Sequence, residues 1–150
     1  MGRINWDMRW MALAELVAQW SKDPHTKNGA VIVDDRQVVL SLGWNGCPRK
    51  VDDDVKERYI APTKYMWLEH AERNAIYNAA AVGHRCLGTR MYVTWFPCSP
   101  CVRGIIQAGI VEVIGKEPDW NNPKWGEDWK IAKQMFFEAE VKVNFLGTRS

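Results

Sequence analysis

Long apolar runs are missing from this chain of 150 residues. No stretch approaches the roughly 18 apolar residues that a membrane-spanning helix needs, so no membrane partner is expected. The opening residues, Met1-Gly2-Arg3-Ile4-Asn5-Trp6-Asp7, lack the apolar core of a secretory signal. Cysteine is scarce, with Cys47, Cys86, Cys98 and Cys101 the only four. In a chain of this length without a leader they do not make a disulfide framework, and a reducing, cytoplasmic location is expected. An excess of one charge sign is lacking too. The net charge is +2, which gives no strong pull toward nucleic acid or a membrane surface. Repeats, low-complexity segments and linkers are absent, so residues 1–150 read as one domain with one core.

What is present has the balance of an ordinary soluble globular protein, with 47 % hydrophobic and 25 % charged residues. Tryptophan is abundant at nine residues, and most of these are expected in the core or at a subunit interface. Trp6, Trp10, Leu13, Ala14 and Val17 recur at helical spacing, which predicts an amphipathic first helix. Residues 30–33 and 38–42 flank Asp34-Asp35-Arg36-Gln37 and predict a hairpin. Residues 45–63 read as a long irregular loop, a kind of segment that often carries function. Helices are predicted over 70–82 and 98–108, stopping at Gly83 and Gly109, and around Trp129, Ala132, Phe136 and Ala139. Strands are predicted over 91–95, 111–114 and 141–145. The order α-β-β-α-β-α-β-α-β argues for a three-layer α/β/α domain on a mixed five-stranded sheet, with parallel, right-handed strand–helix–strand units.

The chemistry concentrates in two short segments, His70-Ala71-Glu72 and Pro97-Cys98-Ser99-Pro100-Cys101. Cys98 and Cys101 sit three apart at a helix start, so both sulfurs can reach one point beside the first turn. The helix N-terminus and a bound cation both favour thiolate. Pro97 suits a position where no amide donor is required. Two cysteines and one histidine leave the fourth position of a tetrahedral zinc open for water. His70 and Glu72, two residues apart, point away from each other within a helix, and can share a site only over its first turn. His70, Cys98 and Cys101 are therefore the expected ligands of one catalytic Zn2+ per subunit, and Glu72 the expected acid/base. A redox C-x-x-C pair would leave His70-Ala71-Glu72 without a role.

The pattern H-x-E … P-C-x-x-C is the signature of zinc-dependent nucleobase deaminases. Over roughly Trp10 to Ile114 the chain resembles the deoxycytidylate (dCMP) deaminase branch of the cytidine deaminase superfamily. The matching stretches are residues 21–33 (SKDPHTKNGAVIV), 43–46 (GWNG), 70–76 (HAERNAI) and 91–101 (MYVTWFPCSPC). The resemblance implies the cytidine deaminase fold and hydrolysis of a pyrimidine nucleotide, dCMP to dUMP plus ammonia. Zinc-bound hydroxide would attack C4 while Glu72, its pKa raised by burial, shuttles protons to the ring nitrogen and the leaving amine. It further implies that Asn45 hydrogen-bonds the sugar, that the Ala71 amide meets the base carbonyl, and that Phe96 and Pro97 line the base pocket. Lys27, with Lys22, Arg49 and Lys50, is a nearby basic candidate for the phosphate. Asn28 stands close to the expected base pocket where relatives usually carry Val. Trp44 replaces a usual Tyr, and Leu68-Glu69 precede His70 where more apolar residues are usual. These differences leave a modified pyrimidine nucleotide open as substrate. The family implies a homo-oligomer, a hexamer or dimer, sometimes regulated by dCTP and dTTP, with Mg2+ entering only alongside such a triphosphate. Only Cys47 points toward a second zinc, so none is expected.

Two other readings compete. A deaminase of tRNA or single-stranded DNA needs a basic, aromatic-lined groove. Trp120, Trp125 and Trp129 with Lys116, Lys124 and Lys130 could form one, but Glu117, Asp119, Glu127 and Asp128 are interspersed, and nucleic acid is not the expected partner. A non-catalytic zinc-stabilised nucleotide-binding module would need a fourth protein ligand, from Cys47 or Cys86.

Overall fold

The computed structural model describes residues 5–147. Met1 to Ile4 of the opening stretch therefore lie outside the described residues. The first helix, α1 (Trp6–Ala18), starts at Asn5, whose side chain accepts the Met8 amide at 3.2 Å. A hairpin follows, β1 (Gly29–Val33) and β2 (Val39–Trp44). The Asp34 carboxylate closes its turn by accepting the Arg36 and Val38 amides, each at 2.9 Å. A register shift after Ile32 leaves Val38 outside the strand.

The segment expected to be irregular is only partly so. It carries a 3-10 turn at Lys56–Tyr59 and leads directly into a one-turn helix, α2 (Lys64–Trp67). Four residues are too few to show a helical period, so the sequence pattern gives no sign of it. The rest of the chain alternates: α3 (Ala71–Ala81), β3 (Arg90–Val93), α4 (Ser99–Gln107), β4 (Glu112–Gly115), α5 (Gly126–Glu138) and β5 (Lys142–Phe145). Gly83 and Gly109 follow α3 and α4 with φ of 77° and 79°, the left-handed conformation that ends a helix with little strain at glycine.

The sheet is mixed and five-stranded, in the order β2-β1-β3-β4-β5. β1 runs antiparallel to both neighbours, whereas β3, β4 and β5 are mutually parallel. Alternate residues divide between two cores. Ile32, Met91, Val93 and Val113 pack with α3, α4 and α5. Val31, Val33, Tyr92 and Ile114 pack with α1. The result is three layers, with α3, α4 and α5 on one face and α1 on the other.

Two glycines set how closely helices approach. A Cβ on Gly43 would lie 2.2 Å from the Ala71 carbonyl oxygen and 2.3 Å from the Ala75 nitrogen. Only glycine lets the start of α3 sit directly on β2. Gly29 does the same for α1, where a Cβ would fall 2.1 Å from the Ala14 oxygen.

The tryptophans divide between the interior and the surface of the chain. Only Trp129 is fully buried, while Trp6, Trp20, Trp44, Trp67 and Trp95 are exposed. They lie in loops and at element ends, where several cover one another: Trp6 stacks on Trp10, and Trp20 meets Trp44 edge-on. Among the described residues no helix is long and apolar enough to cross a membrane.

Candidate active site

Two helix starts face each other beneath an open cavity. His70 is the N-cap of α3 (φ −79°, ψ 153°) and Cys98 the N-cap of α4 (φ −72°, ψ 164°). Neither side chain caps its own helix, so each is free to reach outward. The helix bounds thus begin one residue later than the sequence pattern predicts. That shift matters, because an extended N-cap residue can project over the helix end while the first turn points alongside it.

Several bonds fix the His70 corner. Gly46 and Glu69 exchange backbone hydrogen bonds at 3.1 and 2.8 Å. The Glu69 carboxylate accepts the His70 amide at 3.0 Å and the Arg73 guanidinium at 2.6 Å. Asn74 Nδ2 donates to the Trp44 carbonyl at 2.7 Å, tying α3 to the end of β2. The Cys98 corner is held by α5, since Asp128 accepts the Ser99 amide at 2.8 Å and Trp129 Nε1 donates to the Phe96 carbonyl at 3.1 Å.

At the floor, His70 Nδ1 lies 3.3 Å from Cys98 Sγ and 3.5 Å from Cys101 Sγ. Donors set about 2.0–2.3 Å from a tetrahedral ion sit roughly 3.5 Å from one another. The spacing and the donor set, two sulfurs and an imidazole nitrogen, therefore suit zinc. Cys47 and Cys86 do not join this group. Of the two, Cys86 is buried elsewhere, and Cys47 lines a separate groove with Trp44, Pro48 and Asn78.

Glu72 completes the floor. It is buried, and its Oε2 lies 3.6 Å from Cys101 Sγ. Burial pushes its carboxyl above the ordinary carboxylate range. The hydrogen bond between the two cysteines, helped by His70, pulls Cys98 down to about 4 and pushes Cys101 up. The bond to Cys98 raises His70. Burial opposes the Arg73 charge, but Cys101 and Glu69 more than offset it.

Above the floor a cavity of about 110 Å3 opens to solvent. Asn28, Asn45 and Phe96 line it as expected from the sequence. The Asn45 side chain accepts the Asn28 amide and donates to the Thr26 carbonyl, both at 2.8 Å, and so shapes the loop before β1. Ala71 and Pro97 are buried next to the floor residues.

The basic residues differ from expectation. Lys27 is exposed and donates to the Ser21 carbonyl, outside the cavity lining. Lys22 pairs with Asp53 and Asp54, and Arg49 bonds Asn78. The cations that do line the cavity are Lys64 and Lys124. Lys64 forms a 3.0 Å ion pair with buried Asp23, and Lys124 bonds the Tyr65 hydroxyl. Trp95, Trp125 and Trp129 complete the wall. The aromatic stretch weighed above for a nucleic-acid groove divides accordingly. Trp125 and Trp129 face the cavity, Trp120 packs on Phe96 and Phe145, and Lys116 and Lys130 pair with Glu15 and Glu127. Nothing local in the sequence marks Lys64, Tyr65 and Lys124 as neighbours.

Comparison with known proteins agrees with this geometry. Residues 4–116 match the cytidine and deoxycytidylate deaminase zinc-binding region. The chain is 42 % identical over 144 residues to an uncharacterized deaminase of Aliivibrio fischeri, covering 94 % of this chain and 93 % of that protein. It is 44 % identical over 116 residues to the deoxycytidylate deaminase of Homo sapiens, covering 74 % of this chain and 64 % of the human protein's length. The fold matches apo dCMP deaminase of the cyanophage S-TIM5 with a TM-score of 0.73 at 25 % identity, over 97 % of this chain and 100 % of that one. The chain belongs to the cytidine and deoxycytidylate deaminase family.

Proposed function

We propose that this protein hydrolytically deaminates a pyrimidine nucleoside monophosphate, dCMP to dUMP and ammonia. The observation that carries the reading is a buried glutamate beside a convergent His/Cys/Cys group, at the floor of a cavity whose lining includes two lysines. The relatives named deoxycytidylate deaminase support the choice of substrate.

His70, Cys98 and Cys101 would hold zinc, which supplies a water acidic enough to lose a proton near neutral pH. Glu72 takes that proton and delivers it to the ring nitrogen beside the amine-bearing carbon. A carbon–oxygen bond forms at that carbon. Glu72 then takes the proton of the new carbon-bound hydroxyl and passes it to the amine; as the carbonyl forms, the carbon–nitrogen bond breaks and ammonia leaves with its electron pair. The burial that raises the Glu72 pKa suits this second, acidic role. Phe96 and Trp129 keep bulk water from the base. Asn45, with the hydrogen-bonding capacity left on its amide, meets the sugar. Lys124, an exposed cation of the cavity lining, neutralises the phosphate, while Lys64 is held by Asp23; this supports a nucleotide over a nucleoside.

Ammonia release on dCMP, CMP, dCTP and deoxycytidine, with Glu72→Ala in parallel, tests the reading. Turnover of a monophosphate that Glu72→Ala abolishes is the expected result. No turnover on any of the four by protein with bound zinc would overturn it and favour a polynucleotide substrate or a binding role.

A further inference from the structure

The α4 helix presents Cys98 and Cys101, yet it begins without a side-chain cap of its own. Its N-cap is Cys98, whose sulfur is turned toward His70. The second position of the first turn is Pro100, which has no amide to satisfy. The leading donor is the amide of Ser99, a buried residue. It is satisfied from another helix, for Asp128 Oδ2 on the first turn of α5 accepts it at 2.8 Å. The Ser99 hydroxyl donates to the Asp128 carbonyl at 3.3 Å. One residue on, Trp129 Nε1 bonds the Phe96 carbonyl. Three hydrogen bonds thus clamp the first turn of α5 onto the turn that carries the cysteines.

From this we infer that Asp128 is a positioning residue for the Cys98/Cys101 pair, capping their helix in trans. An N-cap ordinarily uses the side chain of its own residue. Here that side chain is a metal-ligand candidate, and the first helical amide, which an N-cap side chain does not reach, is satisfied by an oxygen from a neighbouring helix. The arrangement also joins two functions. Asp128 shares its turn with Trp125 and Trp129, which wall the cavity, so the base pocket and the ligand pair are braced by one contact. Asp128 lies beyond residues 4–116, and the brace is therefore supplied by a part of the chain outside the matched zinc-binding region.

The inference rests on the metal reading above, and its test separates the two. The stripped protein is loaded with Co2+, whose visible bands report thiolate ligation and its geometry, and Zn2+ affinity is measured by competition with a chromophoric chelator. Outer-shell partners of metal ligands typically change affinity about 10–100-fold when removed. Asp128→Ala is expected to weaken affinity by at least about tenfold and to shift the Co2+ bands. Asp128→Asn keeps an acceptor oxygen and should hold both near wild type. Glu127→Ala, on the exposed side of the same turn, should leave both unchanged. Asp128→Ser, too short to reach the Ser99 amide, replaces the alanine variant if the latter does not fold. Unchanged affinity and spectrum in a folded Asp128→Ala or Asp128→Ser variant would overturn the inference. Absence of thiolate bands in wild type would overturn the metal reading, and the inference with it.

Discussion

The floor and the mouth of the cavity are built on opposite plans. At the floor, His70, Glu72, Cys98 and Cys101 come from two helix starts, with one residue between the first pair and two between the second. They are largely buried and braced by Glu69, Arg73 and Asp128. At the mouth, Lys64 and Tyr65 of α2 meet Lys124 across 59 residues of chain or more, Tyr65 is exposed, and Lys124 rests over the Tyr65 and Trp125 rings. Bond-making chemistry needs a water-poor, fixed geometry, because a displaced ligand or acid costs rate steeply. Recognition of a phosphate needs only charge of the right sign within reach, which an exposed lysine such as Lys124 supplies. Substitutions at the floor should therefore abolish turnover, and those at the mouth should change which substrate is taken.

The largest effect is expected at Glu72. Glu72→Gln keeps the shape and removes the proton carrier, so kcat should fall by about 10²–10⁴. Metal content should remain that of wild type, which elemental analysis checks. A large loss of metal in this variant would reassign Glu72 from proton transfer to ligation.

Next in size is Lys124. Lys124→Ala should raise KM for dCMP roughly tenfold, the scale of one charge-assisted contact, and leave turnover of deoxycytidine unchanged. Equal loss on both substrates would move Lys124 from phosphate recognition to general support of the wall. Lys22→Ala, by contrast, should leave KM for dCMP at its wild-type value, since Lys22 is exposed and pairs with Asp53 and Asp54 away from the cavity.

These expectations also show which parts of the site were legible in the sequence. The floor was, because short spacing within one helix start is a local property: His70-Ala71-Glu72 and Cys98-Ser99-Pro100-Cys101 carry their geometry with them. The strand and helix order was legible for the same reason, and with it the mixed sheet. The mouth was not. Lys22 and Lys27 stood nearest the recognisable motifs, but neither lines the cavity. Lys64 sits on a helix too short to show a period, and Lys124 came into view only as part of an aromatic, basic stretch. The Asp128 clamp was invisible for a further reason. A helix capped from another element leaves no capping residue in its own sequence.

A smaller effect concerns acid stability at the loop that frames the mouth. Burial alone would raise the Asp23 pKa, but the amides of His25 and Thr26 and the Lys64 ammonium more than offset it and leave it below the ordinary value. The folded pKa is thus lower than the unfolded one of about 3.9. Asp23 contributes its full stability above that unfolded value and loses it as pH falls through the folded value. The Tm of wild type should exceed that of Asp23→Asn near pH 6, and the gap should close toward pH 3. A gap independent of pH would show that the Asp23 charge contributes nothing.

The central claim is that the His70/Cys98/Cys101 floor binds one catalytic metal ion. Its most direct test is to strip the protein with a chelator and titrate Zn2+ back while following ammonia release from dCMP. Activity should be absent at the start, rise linearly, and level off at one ion per chain, and a Cys98→Ser/Cys101→Ser double variant should show no rise. Turnover that persists in the stripped protein, or a double variant that recovers as wild type does, would contradict the account.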